Sequence, residues 1–337
     1  MKFRFAVIRD VHAPGPDVNN LHRGDDVVTD LMELPRRAEA LGYACMGISD
    51  HLFSTADPLI DTMACLSATT SLRVTQTVLV NDYRHPALVA RAIASIDALS
   101  NGRAEVGLGA GFTPADFSSI GIPYDEAKVR VRRLRESLTI IRSLLTSAEP
   151  LSFKGEFYEI DGLVSMPRPV QQPGPPIWVA GGGPVVLRLA GELADVIDIA
   201  PQNVHPSVPL PMDPRQISME SFRKKVDNIK QGAGVRFDEI RTGLPVMKLH
   251  ICEDPLESAR AVRAEFDTIY RTLMGREGGF DVAPEELLES PWFWIGTEDQ
   301  LVRKAHALRD EFGLSQFIVM PGAMAEFQPL LERLSGR

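Results

Sequence analysis

Residues 73–112 read RVTQTVLVNDYRHPALVARAIASIDALSNGRAEVGLGAGF, and the reading of this stretch decides the fold. Residues 74–80 form an apolar run of strand length, 87–99 carry helical spacing, an Asn-Gly pair follows, and 104–108 are a second apolar run. This is one strand-helix-strand unit. Strands joined through a helix lie parallel, because parallel pairing needs a crossover rather than a tight turn. Short or polar residues close both strands: Asn81 and Asp82 after the first, and Gly107, Gly109, Ala110 and Gly111 around the end of the second. Glycines there admit a flat or anionic ligand close to the backbone, and they equally suit turns with positive φ.

The same alternation extends outward in both directions. Upstream, residues 3–8 and 44–48 read as strands and 26–41 as a helix, in which Pro35 implies a kink or a restart at Leu34. Asp57-Pro58 is a cap followed by proline at the first helical position, and it opens a helix over 57–70. Downstream, Leu134, Leu138, Ile141 and Leu145 give the helix at 125–145 one apolar stripe. A hairpin at 151–160 and a proline-rich run then interrupt the alternation, as an insertion at about 147–176. Strands at 177–180, 195–200, 243–251 and 316–320 follow. Helices are expected at 185–193, 218–231, 255–274 and 284–289, and Thr297-Glu298-Asp299-Gln300 is a capping box opening the last. Eight strands alternating with helices predict an α/β chain folded as a (β/α)8 TIM barrel, one domain over residues 1–337, with a hairpin-containing insertion after the fourth helix. Residues 201–217 hold five prolines without apolar period, which predicts a lid or binding loop.

Composition narrows the function. A net charge of −9 opposes the Lys- and Arg-rich footprint that nucleic acid requires. Cys45, Cys65 and Cys252 are odd in number and lack metal spacing, so they read as residues of a reducing compartment. The opening MKFRFAVIRD is too short an apolar run for a signal peptide, and no uncharged run is long enough to span a bilayer. A cytoplasmic protein acting on a small molecule, without nucleic-acid or membrane partners, is expected.

Barrels place reactive groups at the carboxyl ends of their strands. Asp50-His51 falls at the end of the second strand, and histidine is the side chain most easily tuned for proton transfer near neutral pH. The alternative is a histidine bonded within its own loop. Gly181-Gly182-Gly183 precedes a helix amino terminus, which favours an anion such as phosphate, although a tight strand-to-helix connection uses the same residues. His12, His22, His85 and His205 are scattered over loops and read as surface histidines. Of Trp292, Phe293 and Trp294, two are expected to pack and one to cover the barrel mouth. The absence of HExxH, GxSxG, paired CxxC and P-loop patterns leaves a metal site or serine nucleophile unsupported.

Five segments carry a family resemblance: EALGYACMGISDHLF, TQTVLVNDYRHPALVARAIASIDALSNGRAEVGLGAGF, GIPYDEAKVRVRRLRESLTIIRSLL, PPIWVAGGGPVVLRLAGELADV and IGTEDQLVRKAHALRDEFGLSQFIV. In order and spacing the chain resembles the luciferase-like monooxygenase superfamily, in the branch that uses the deazaflavin coenzyme F-420. The resemblance implies hydride transfer between F-420 and a small organic substrate, often in a homodimer. It implies that His51, helped by Asp50, handles the accompanying proton. It puts Val80 and Asn81 at a strand-three bulge, where relatives often hold a non-proline cis peptide behind the cofactor ring. Ala110 and Gly111 match the segment along that ring, and Gly181, Gly182 and Gly183 match the phosphate loop. Phe112 stands where relatives commonly have tryptophan. Two alternatives stay open: an FMN-dependent monooxygenase using O2 and a separate flavin reductase, and a flavin-binding protein without turnover.

Overall fold

The computed structural model describes residues 1–9, 25–52, 56–202, 213–274 and 279–336. The first half of the chain runs β1 (Arg4–Arg9), α1 (Asp25–Ala40), β2 (Cys45–Ile48), α2 (Pro58–Ala68), β3 (Arg73–Gln76), β4 (Leu79–Val80), α3 (Pro86–Leu99), β5 (Val106–Gly109), α4 (Pro114–Ser119) and α5 (Ala127–Thr146). A hairpin of β6 (Leu151–Lys154) and β7 (Glu159–Leu163) leads to β8 (Ile177–Gly181), α6 (Pro184–Leu193), β9 (Val196–Ile199), α7 (Met219–Ala233) and β10 (Arg241–Pro245). The remainder is β11 (Lys248–Ile251), α8 (Pro255–Met274), α9 (Pro284–Glu289), β12 (Phe293–Gly296), α10 (Glu298–Phe312), β13 (Leu314–Val319) and α11 (Met324–Leu334).

The main sheet has the order β3-β2-β1-β13-β10-β9-β8-β5-β4, and its pairings are parallel. Its two ends, β3 and β4, are pieces of a single crossing, and Val74 also bridges Ala104 in parallel. The sheet therefore closes on itself as the expected eight-staved barrel, counting β3 and β4 as one stave. The hairpin lies outside it as its own two-stranded sheet, as read from the sequence.

The sequence reading lacks α4, β12 and α11, so that α10 is not the last helix, and four further elements depart from it. The apolar run 74–80 is divided, and the non-proline cis bond joins Thr77 to Val78 in the gap between β3 and β4, rather than standing at Val80-Asn81. The run 243–251 is also two strands. β10 belongs to the barrel, whereas β11 leaves it after Pro245 and pairs with β12. A continuous apolar run cannot show at which residue the backbone changes partners. The third departure is α1, which runs through Pro35 as one helix without restarting at Leu34. The last is the aromatic trio, where none of the three covers the mouth: Trp292, Phe293 and Trp294 are all fully buried. Trp292 meets Phe222 edge-on and donates to the Ile199 carbonyl at 3.2 Å, while Trp294 packs on Phe317 and Phe327.

Inside the barrel, Ala6, Cys45, Trp178, Val196 and Ile318 form a compact apolar plug. At its amino end Arg4, Arg73 and the Trp178 indole all donate to the buried Glu105 carboxylate. Burial opposes the charge on Glu105, but the two guanidiniums outweigh it and hold its carboxyl below the usual range. The Glu105 charge is thus matched within the protein, away from the carboxyl face.

Helix packing around the barrel has its own pH signature. The Glu39 carboxylate accepts N–H bonds from Thr70, Ser71 and Leu72, at 2.9, 2.5 and 2.9 Å to Oε1. Slight burial works against this carboxylate, yet the Ser71, Leu72 and Thr70 donors bring its pKa down to about 2. A depressed carboxyl contributes stability above its ordinary pKa and loses it as pH falls toward the folded value. Glu39→Gln is therefore expected to flatten the acid side of the stability curve between the ordinary carboxylate range and about pH 2, read by urea midpoints across that window. An unchanged slope would remove Glu39 from the account of acid unfolding.

Candidate functional site

The ends of β2, β4 and β5 bring six of the sequence-predicted residues together. Asp50 follows β2 and is buried, with Oδ2 2.7 Å and Oδ1 3.0 Å from the two terminal nitrogens of Arg84. The Val80 N–H donates to the same Oδ2 at 2.8 Å. Burial pushes the Asp50 carboxyl pKa up, against the pull of Arg84 and Val80. Asp50 thus ties the end of β2 to the end of β4.

The carboxylate at His51 belongs to a different residue. His51 Nδ1 lies 2.9 Å from Asp116 Oδ2, and both side chains are largely shielded, at 18% and 7% exposure. Asp116 sits in the first turn of α4, whose start at Thr113-Pro114 repeats the cap-plus-proline pattern legible at Asp57-Pro58. That pattern is the local signal in the sequence for α4 and its Asp116. The bond to a carboxylate fixes the imidazole with hydrogen on Nδ1 and sets the ring's orientation. Phe112 stands edge-on to His51 at 5.3 Å and is 45% exposed, forming an apolar wall beside it.

Asn81 is buried, and its amide donates to Asp82 at 3.1 Å and to the hairpin's Tyr158 hydroxyl at 3.5 Å. Ala110 and Gly111 extend β5, and both carbonyls accept from one guanidinium: Arg130 Nε reaches Ala110 at 3.0 Å and Nη2 reaches Gly111 at 3.2 Å. The Arg130 guanidinium also lies 3.9 Å over the Tyr124 ring. Gly111 has φ +72°, and a Cβ there would stand 2.8 Å from the Phe117 ring and 2.9 Å from Val80. Both the backbone and the space therefore require glycine.

Gly181, Gly182 and Gly183 join β8, the neighbour of β5, to α6. Gly183 is the N-cap without a side-chain bond and Pro184 has no N–H, so Val185 and Val186 carry the amino-terminal N–H groups without partners in the helix. A Cβ on Gly182 would meet the Ala200 carbonyl at 2.4 Å, whereas among the described residues one on Gly183 would meet only Gln202 Nε2 at 3.5 Å. A residue not picked out from the sequence reaches this loop: Lys225 of α7, whose amine donates to the Gly182 carbonyl at 2.7 Å. Burial pushes its pKa down to about 8, against the raising effect of Asp213. Its signal was a lysine on the apolar Phe222–Val226–Ile229 face of α7. Small loop residues, free helix N–H groups and a cation together fit a phosphate-bearing cofactor.

Among the described residues, no group of His, Cys, Asp and Glu is arranged to hold a metal ion, and no helix is long and apolar enough to cross a membrane. His85 caps α3 through Nδ1, which accepts from the Ala87 N–H, and it packs on Tyr158. His12, His22, His205, the first loop and residues 203–212 of the expected lid lie outside the described residues.

The glycine loop and the carboxylate-held histidine thus stand on the carboxyl face of a parallel α/β barrel, the face on which such barrels carry their sites. The model of the luciferase-like monooxygenase family matches residues 6–207, and the chain belongs to that family. It is similar to an F420-dependent glucose-6-phosphate dehydrogenase of Amycolatopsis mediterranei, 36% identical over 174 residues that are 49% of this chain and 51% of the other. An FMNH(2)-dependent dimethylsulfone monooxygenase of Pseudomonas putida is 29% identical over 202 residues, 60% of this chain and 50% of that one. The chain spans about half the length of the curated relatives it matches. In fold it is similar to the coenzyme F420-dependent tetrahydromethanopterin reductase of Methanopyrus kandleri, with a TM-score of 0.72, 20% identity and 99% of each chain covered. An F420-dependent secondary alcohol dehydrogenase gives the same TM-score and coverage at 17% identity.

Proposed function

We propose that this protein is an oxidoreductase that binds coenzyme F-420 on the carboxyl face of its barrel and acts on a small organic substrate. The observation that carries this reading is the His51–Asp116 pair at 2.9 Å, standing on the same face as the glycine cradle at Gly181, Gly182 and Gly183. Relatives named as F420-dependent dehydrogenases support it. When bound, F-420 supplies two-electron hydride chemistry, leaving binding, orientation and proton handling to the protein. The loop and the amino end of α6 hold the phosphate. Arg130 fixes the Ala110 and Gly111 backbone, which with Val80 and Asn81 would line the cofactor's place. His51, held through Nδ1 by Asp116, handles the proton exchanged with substrate.

A second reading keeps the site and exchanges the cofactor for FMN, with O2 as co-substrate and a separate reductase. The similarity to the dimethylsulfone monooxygenase favours it. Equilibrium dialysis of the protein against F-420 and FMN, read by absorbance, separates the two, and oxygen consumption with reduced FMN checks the outcome. Selective binding of FMN together with oxygen uptake would replace the F-420 reading. Binding of either cofactor without turnover of any substrate would make the chain a carrier. In either enzyme reading we expect a homodimer, measurable by sedimentation equilibrium.

The cradle has a direct test at Gly183, where a side chain has room that Gly182 lacks. Gly183→Asp should cap α6 and place a carboxylate where phosphate would bind, weakening F-420 by about tenfold or more while leaving thermal stability unchanged or slightly raised. Undiminished affinity in the folded variant would move the phosphate elsewhere.

A further inference from the structure

We propose that Lys225 is the charged half of the anion site at α6, and that it makes the protein select cofactors that carry a phosphate ester or phosphodiester. The inference rests on the cofactor reading above and adds a residue to it. Lys225 sits on the face of α7 that buries Phe222, Val226 and Ile229, and it is only 4% exposed. An ammonium in such a position is costly unless its three N–H groups and its charge are matched. Its hydrogen-bond partner among the described residues is one neutral acceptor, the Gly182 carbonyl at 2.7 Å. The nearby Asp213 carboxylate is occupied by Arg215, at 2.8 and 2.9 Å, and makes no ion pair with Lys225.

The amine is also placed where an anion would come. It lies 3.3 Å from the position a Gly182 Cβ would take, on the loop that ends at the α6 N–H groups left without partners among the described residues. A phosphate there would meet a helix amino terminus and a buried cation at once, and a charge-assisted bond in such shielded surroundings is about twice as strong as a neutral one. Gly182 brings the amine to the loop; the remaining donors are left for the ligand.

The competing account is that Lys225 merely pins the loop through the Gly182 carbonyl. Equilibrium dialysis of wild type, Lys225→Met and Lys225→Arg against F-420 and against its phosphate-free deazaflavin fragment separates the two. Lys225→Met should lose about 10–100-fold affinity for F-420 and less than about twofold for the fragment, and Lys225→Arg should recover most of the loss. Equal losses for both ligands, or none, would overturn the assignment and leave a structural lysine. Wild type that binds F-420 no better than the fragment would also overturn it while the cofactor reading stands. Wild type that binds neither F-420 nor FMN would overturn both together. Thermal melts confirm that each variant is folded before its affinity is read.

Discussion

His51→Ala is expected to slow single-turnover hydride transfer ~10²–10⁴-fold while leaving F-420 affinity within about twofold of wild type, the range for loss of a positioned general acid or base. The expectation follows from the placement of the ring. His51 stands at the end of β2, is held through Nδ1 by Asp116, and is walled on one side by Phe112. A hydride moving to or from a polar bond leaves a proton to be taken up or supplied, and no other described histidine stands on the ends of β2, β4 and β5 with a carboxylate behind it. His51→Asn keeps a hydrogen-bonding side chain without exchanging the proton, so it should fail in the same way. Asp116→Asn should act through the ring's orientation, lowering the rate less than loss of the ring itself. Single-turnover measurement is needed because slow product release would hide the chemical step. Wild-type rates in His51→Ala at saturating cofactor would reduce the histidine to a structural member of the loop.

The largest effect on stability is expected at Arg84. Asp50 is buried, and Arg84 meets both of its oxygens, so Arg84→Met would leave a carboxylate in low dielectric with only the Val80 N–H. Breaking a buried pair from one side costs about 3–5 kcal/mol, which a urea melt resolves. Replacing both partners, as in Asp50→Leu with Arg84→Met, should recover much of the loss, because no buried charge is then left unpaired; Asp57, which also meets Arg84 at 3.2 Å, is exposed. A single-variant cost below about 1 kcal/mol, the level of an exposed ion pair, would show that the clamp between β2 and β4 is not needed. The two experiments together separate the adjacent residues, a clamp between strand ends expected of Asp50 and a proton role expected of His51.

Local signals in the sequence accounted for most of the architecture. Apolar runs of strand length alternated with 3.6-residue stripes, and both periods follow from backbone geometry that each residue imposes on its near neighbours. Caps were equally legible, because a cap is a contact within three residues. Asp57 accepts from Leu59 and Ile60, and Thr297 with Gln300 closes the capping box. The loop of three glycines and the position of His51 at a strand end could be read for the same reason. Long-range partners could not. Asp50 is the sequence neighbour of His51, yet a carboxylate 65 positions away, on a six-residue helix, is the one at its ring. Lys225 reaches the glycine loop across 43 positions. The division of residues 243–251 between two sheets depends on β12 arriving beside β11, and the gap between β3 and β4 on how the barrel closes. The sequence by itself determined most of the barrel's strands and helices and which residues stand at several of the strand ends, since these are properties of neighbouring residues. Only the tertiary structure decided which of those side chains meet, because that is set by sheet register and barrel closure, to which every stave contributes.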